Sequence, residues 1–399
     1  MSSNPTPPAL RNDLLAAVSR VRPLAEAHAR DAERARTLHP EVVAAMRAEG
    51  LFGVAAPREL GGLEVDLQTQ LDVFEAMAHT DSSAGWCLMI GALTTALLGA
   101  YLPESGVARV FSGGMPIAAG LHQPLGVATR RADGFVVHGR WGFGSGIRHA
   151  DWVLTAARVE GEGQGEGPPE MILLAVPVAE VTIESTWDAV GLRGSGSEHY
   201  RLEGVVVDAA RTCAYPAAAP RRGGASFALP FLAFVTVGHV AFALGVARRA
   251  LEEIVALAPR KVKLWTQRPV SDDGAFRDRL GRAFSALAAA RAWSREVLAA
   301  MESRISTGAP LGPDDFRSIR ALAAYTTEVS ADVAQFAFRA AGAPALDASH
   351  VLQRCVRDLN AAAQHVAASD DGYAYAGATL LGDAPPHPIL TPRAPRVPG

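Results

Sequence analysis

The hydrophobic pattern of this chain changes period twice, and few architectures accommodate such a change. From about residue 10 to 112, apolar residues recur every three or four positions. Leu14, Val18, Val21 and Leu24 form one stripe, and residues 67–78 and 84–100 continue in the same style, which predicts helices. Asp81 and Ser82 supply an N-cap for the last of these. From about 116 to 215 the pattern becomes strand-like: residues 127–130 and 135–138 flank an Ala132-Asp133-Gly134 turn, and 153–159 and 171–178 are apolar runs. Residues 161–169 read as a Gly/Glu hairpin loop. After a Pro/Ala/Gly linker at 216–224 the helical period returns, with Phe276, Leu280, Phe284 and Leu287 on one stripe and Ile319, Leu322, Ala323, Thr326 and Val329 on another. The expected division is helical 1–114, β 115–220, helical 221–382 and a Pro-rich, extended or mobile tail at 383–399.

Composition narrows the class further. At 49% hydrophobic, 20% charged and a net charge of −3, the 399 residues are neither disordered nor collagenous, and 76 alanines favour closely packed helices. Two lysines (Lys261, Lys263) stand against 36 arginines, but acidic residues outnumber basic ones and no arginine run occurs, so a nucleic-acid surface is not expected. Cys87, Cys213 and Cys355 are too few and too scattered for a disulfide framework or a zinc site. They fit a reducing cytoplasm, as does an N-terminus without an apolar signal region. Residues 225–247 carry no formal charge apart from a titratable His239 and are long enough to cross a bilayer. Pro230, Gly238 and His239 interrupt them, so the expectation is a helix buried on all sides and no membrane.

GxSxG, HExxH, Walker and strand-linked GxGxxG signatures are absent, which weakens hydrolase and nucleotide-triphosphate readings. Two glycine-punctuated segments stand out in the β region: Arg140-Trp141-Gly142-Phe143-Gly144-Ser145-Gly146 and Gly191-Leu192-Arg193-Gly194-Ser195-Gly196-Ser197. Each alone reads as a turn. In this order, with Ala150-Asp151-Trp152 after the first, Val205-Val206-Val207-Asp208 after the second and Arg357-Asp358 late in the last long helix, they resemble the acyl-CoA dehydrogenase superfamily. The resemblance runs from Leu10 to about Gly382. It implies an α+β chain with an N-terminal helical domain, a central β-barrel or sandwich domain and a C-terminal four-helix bundle, usually assembled as a homotetramer.

Within that superfamily the catalytic base separates dehydrogenases from monooxygenases. A dehydrogenase needs a carboxylate to take the proton α to a thioester. In most members it is a glutamate after the Arg-Asp pair, yet the last glutamate here is Glu328; the other usual position, nine residues before Leu244-Gly245, holds Val235. Asp370 or Asp371 as a displaced base, or a noncatalytic flavin-binding protein, are the alternatives. The run from Arg357 to His365 resembles the two-component flavin hydroxylase branch, where a histidine seven residues after the Arg-Asp pair faces the substrate. Helical spacing puts Arg354, Asp358, Ala361 and His365 on one face; a lone histidine on an alanine-rich helix is otherwise structural.

The same resemblance implies that Ser145 contacts flavin N5, in a segment where Trp141, Phe143 and Gly146 also match the hydroxylase branch, so that a C4a-hydroperoxide formed from reduced FMN or FAD and O2 survives to oxygenate an aromatic, polyketide or amine substrate. Some hydroxylases of the branch carry another histidine soon after the tryptophan of the second helical segment; none follows Trp86 here, and His122 is a second catalytic candidate or merely a strand-end residue. Arg193, Ser195 and Ser197 of the glycine turn, and Arg260, Lys263 or Arg268 after the first bundle helix, are candidates for the flavin phosphate and ribityl chain, the basic ones from a neighbouring subunit. With no dinucleotide-binding signature of its own, the chain is expected to receive reduced flavin from a separate NAD(P)H:flavin reductase.

Overall fold

The computed structural model describes residues 5–160, 170–215 and 219–383. The hairpin loop expected at 161–169, residues 216–218 of the linker and 384–399 of the tail lie outside them. Five helices come first: α1 (Pro8–Ala35), α2 (Pro40–Ala48), α3 (Leu67–Thr80), α4 (Ser82–Tyr101) and α5 (Glu104–Val110). Asp81 caps α4 by accepting from the Ala84 N–H at 2.9 Å. Residues on every face of α4 are buried, from Ser82 to Ala100, because small and apolar residues occupy all sides of it.

The middle of the chain forms β1 (Ala118–Ala119), β2 (Pro124–Arg131), β3 (Gly134–Gly144), β4 (Trp152–Glu160), β5 (Met171–Pro177), β6 (Thr182–Glu184), β7 (Glu198–Asp208) and β8 (Thr212–Ala214). They make one mixed sheet in the order β6-β7-β3-β2-β4-β5-β8, with β1 added to β4. β2 pairs parallel with β4 and antiparallel with β3, through a hairpin that sets Arg131 opposite Gly134. Alternation along β3 turns Phe135, Val137 and Trp141 into a second apolar core with Tyr200 and Val153. This core is separate from the one shared by the helices.

Five more helices follow: α6 (Phe231–Leu257), α7 (Gly274–Ser306), α8 (Pro313–Ala341), α9 (Val351–Ala362) and α10 (Asp371–Leu380). α6 to α9 form the bundle, and α10 lies along α8. The charge-free stretch runs into α6; α4 and α6 are both long and apolar enough to cross a membrane, and both are mostly buried within the protein. Gly245 explains how α6 sits so close to α3, since a Cβ there would lie 2.3 Å from the Glu75 carbonyl oxygen. On α7 the expected stripe is only partly covered: Phe276 and Leu287 are buried, whereas Phe284 is 63% exposed.

Candidate active site

Three separate segments meet around Trp86, one turn into α4. From α6, His239 and Phe242 lie three residues apart on one helix face, and both meet the indole edge-on, with ring centroids at 5.4 and 5.1 Å. From the turn after α9 comes His365, whose ring is 6.0 Å from the indole and stacks on His239 at 4.0 Å. The third segment is the end of β3, where the Trp86 Nε1–H donates to Ser145 Oγ at 3.0 Å. His122, before β2, completes the cluster: it packs edge-on against Phe231 at 4.8 Å, and its Nε2 is buried with no partner.

Burial governs the charge of these histidines. It pushes His122 and His365 down to about 4, and pushes His239 well below the usual histidine range, with His365 adding to the lowering of the other two. At neutral pH the cluster is therefore uncharged. The backbone N–H of Ala367 donates to His365 Nδ1 at 3.2 Å, so the neutral ring carries its proton on Nε2. Arg320 of α8 anchors this turn: its buried guanidinium donates from Nη1 to the carbonyls of Val366 (3.0 Å) and Ala367 (3.2 Å).

Linkage sets the sign of the pH dependence. The unfolded chain takes up protons near pH 6.5 and the folded chain only near 4, so the stability these histidines leave intact above pH 6.5 is lost as pH falls towards 4. The loss amounts to at most about 3 kcal/mol per histidine. In urea unfolding followed from pH 7 to 4.5, replacing His122 and His365 by glutamine should flatten the fall in stability. An unchanged slope would show that the two rings protonate freely in the folded protein.

Within the segments 140–146 and 191–197, four residues adopt left-handed backbone conformations: Phe143 (φ 57°), Gly146 (φ 75°), Leu192 (φ 51°) and Gly196 (φ 52°). These bends bring the two glycine-punctuated segments together. The Gly146 N–H donates to the Ser195 carbonyl at 2.8 Å, Ser145 Oγ and Ser197 Oγ lie 2.7 Å apart, and Ser197 Oγ and Ser195 Oγ again 2.7 Å. The Ser195 hydroxyl donates to the Leu192 carbonyl at 2.7 Å. Asp358 of α9 holds the turn from below, accepting from the Leu192 N–H at 2.6 Å and from the Ser82 hydroxyl. Arg357 donates to the Val190 carbonyl (2.9 Å) and to Glu33 (2.6 Å). Gly191 permits this contact, since a Cβ there would lie 2.1 Å from the Arg357 carbonyl oxygen. The Arg-Asp pair thus joins the bundle to the β domain.

The structure brings His365, Ser145, His122, Ser195 and Ser197 to one region and corrects other expectations. Trp141 does not face a cofactor: it is 1% exposed, stacks on Tyr200 at 5.6 Å and donates to the Ala156 carbonyl inside the β core, because strand alternation turns it inward. His365 does not lie on a helical face with Arg354 and Asp358, because α9 ends at Ala362 and the ring is placed by a turn. Arg193 turns back onto the Ala189 carbonyl (2.8 Å) and Asp188 (3.4 Å). Arg260, Lys263 and Arg268 follow the far end of α6, about 27 Å of helix beyond His239, so they do not line this chain's own site. Lys263 is paired with Asp273. Phe143, 60% exposed, is free to meet a ligand beside Trp187. Asp370 and Asp371 are exposed at the start of α10, so a displaced carboxylate base finds no support.

His239 and Trp86 join the site without a motif to mark them. His239 had one signal, being the only titratable side chain in 225–247; it fills the space beside Trp86 where no histidine follows Trp86 in sequence.

Known proteins resemble this chain along most of its length. Residues 15–104 match the acyl-CoA dehydrogenase N-terminal domain family and residues 237–370 the C-terminal domain family. The chain is 30% identical over 356 residues to an indole-3-acetate monooxygenase of Pseudomonas putida, covering 88% of this chain and 90% of that one. It is 26% identical to the oxygenase component of an FADH2-dependent resorcinol hydroxylase of Rhizobium sp. strain MTP-10005, covering 93% and 95%. The structure of XiaF from Streptomyces sp., in complex with FADH2 and glycerol, superposes with a TM-score of 0.88 at 25% identity, covering 96% and 98%. The chain belongs to the acyl-CoA dehydrogenase family, and within it is the oxygenase component of a two-component flavin-dependent monooxygenase.

Proposed function

We propose that this oxygenase acts on an electron-rich aromatic whose ring reacts without deprotonation, such as an indole or an aminoarene, seated against Trp86, Phe242 and the His239–His365 stack, with flavin N5 at Ser145. The observation that carries this reading is the packing of His239 and His365 against Trp86 and each other, out of water, which keeps both rings neutral. A base with a pKa of about 4 facing a phenol of pKa about 10 would pay roughly 8 kcal/mol to form the phenolate. The favoured substrate is therefore a ring that is nucleophilic without losing a proton, which agrees with the indole-3-acetate activity of the relative at 30% identity.

Reduced flavin, when bound, supplies with O2 the electrophilic oxygen. Ser145 offers N5 a hydroxyl, Phe143 offers an exposed aromatic face, and Trp86 bridges the flavin and substrate sides by touching both Ser145 and the histidines. His365 presents Nε2–H as a hydrogen-bond donor for an oxygen in the pocket. The aromatic walls keep water away from the reacting oxygen. Reduced flavin comes from a separate reductase, and a neighbouring subunit carrying Arg260, Lys263 or Arg268 would complete the phosphate site, in keeping with a homotetramer.

Indole and phenol offered separately with reduced FMN or FAD and 18O2 at pH 7 test the substrate class. The expectation is 18O in the indole product and indole turnover at least about tenfold above phenol, with phenol gaining as pH rises. Phenol as the better substrate at pH 7 would overturn it.

A further inference from the structure

The three serine hydroxyls beneath Ser145 form a chain whose two ends are chemically fixed. At one end Trp86 Nε1–H can only donate, and it donates to Ser145 Oγ at 3.0 Å. At the other, the Leu192 carbonyl can only accept; it takes the Ser195 and Trp187 Nε1 N–H groups at 3.0 Å, and Ser195 Oγ lies closer still at 2.7 Å, a separation two oxygens hold only with the serine proton between them. Ser195 has one proton, so donating it to Leu192 leaves Ser195 only able to accept from Ser197 at 2.7 Å. Ser197 then can only accept from Ser145, also at 2.7 Å. All three hydroxyls are buried, so no bulk water competes for these protons.

We infer that this relay makes Ser145 an obligate acceptor towards the flavin, and so a device that distinguishes flavin redox states. Ser145 spends its proton on Ser197 and one lone pair on Trp86, which leaves one lone pair to offer. Reduced flavin carries N5–H and matches that lone pair. Oxidised flavin has an N5 lone pair and meets another lone pair. The inference rests on the reading that Ser145 meets N5, and it adds Ser195 and Ser197 as positioning residues, acting through Ser145, that favour the flavin delivered by the reductase over the one left after reaction.

Anaerobic titration of reduced flavin and aerobic titration of oxidised flavin test this through the ratio of their dissociation constants. Ser197→Ala frees the Ser145 proton directly. Ser195→Ala frees it indirectly, because Ser197 can then donate to Ser145. Both should lower the preference for reduced flavin by about tenfold, the worth of one hydrogen bond regained by the oxidised form. If both forms weaken in parallel and the ratio holds, Ser195 and Ser197 merely shape the turn and the relay is wrong. Ser145→Ala separates the two claims: if it leaves reduced-flavin affinity unchanged, Ser145 does not meet N5, and both the reading and the inference fall; if it weakens that affinity while the other two variants keep the ratio, only the relay falls.

Discussion

Replacing Asp358 by alanine should destabilise the protein by about 3–5 kcal/mol, the range expected when one partner of a buried charged network is removed. The side chain is 1% exposed and serves three groups. It accepts from the Leu192 N–H and the Ser82 hydroxyl, and its charge stabilises the buried guanidinium of Arg354. Leu192 is the costly one, because a branched residue at φ 51° is strained and depends on that hydrogen bond to stay there. Burial pushes the Asp358 carboxyl up to about 6, so a neutral isostere is tolerated better than a truncation. Asp358→Asn keeps an acceptor for Leu192 and should lose about 1 kcal/mol. Urea denaturation of the two variants checks the order. Since the turn carries Ser195 and Ser197, the alanine variant should also bind reduced flavin more weakly at temperatures where it remains folded. An alanine variant as stable as the asparagine one would show that the joint between bundle and β domain lies elsewhere.

The fold was legible in the sequence because burial imposes a period, and the period survives in residues such as Leu14, Val18 and Val21, which the structure buries along α1. The site was legible only where a turn marked it. Gly146, Gly191 and Gly196 signal bends or close contacts, and Ser145, Ser195 and Ser197 beside them converge. Trp141 shows the limit of motif matching: residues two positions apart on a strand, such as Trp141 and Phe143, share a face only while pairing is regular, and the register of β3 against β7 shifts between Trp141 and Gly144. His239 shows a different limit. Its ring reaches His365 across 126 residues of chain, and helix periodicity predicts which face of α6 is buried but not what that face will meet. The basic residues near 260 lie beyond the far end of α6, away from this chain's own site, as a role in a neighbouring subunit requires.

Truncating His365 to alanine should lower turnover by about 10²–10³-fold, the range for losing one positioned hydrogen-bond donor, while leaving flavin affinity within a few-fold of the native value. The substitution that decides what the residue does is His365→Gln. A glutamine amide can place an N–H where Nε2–H stands but cannot act as a base. Because Ala367 holds Nδ1 as an acceptor, the native ring already presents a donor, and glutamine should retain turnover within about tenfold of native. If His365 were instead a general base, glutamine would be as poor as alanine, and native turnover would fall on acidification with the apparent pKa of the ring. Arg320→Met offers an independent approach to the same turn. It keeps the bulk of the buried side chain but releases the carbonyls of Val366 and Ala367, so the ring loses its fixed orientation. Turnover should fall about tenfold or more, with excess hydrogen peroxide as the flavin reacts without transferring oxygen to substrate. Peroxide release that stays at the native level in Arg320→Met, alongside native turnover, would mean that α8 does not position His365. A donor role fits the charge of the pocket, since three neutral histidines can hold an aromatic ring and orient an oxygen without needing to take up a proton.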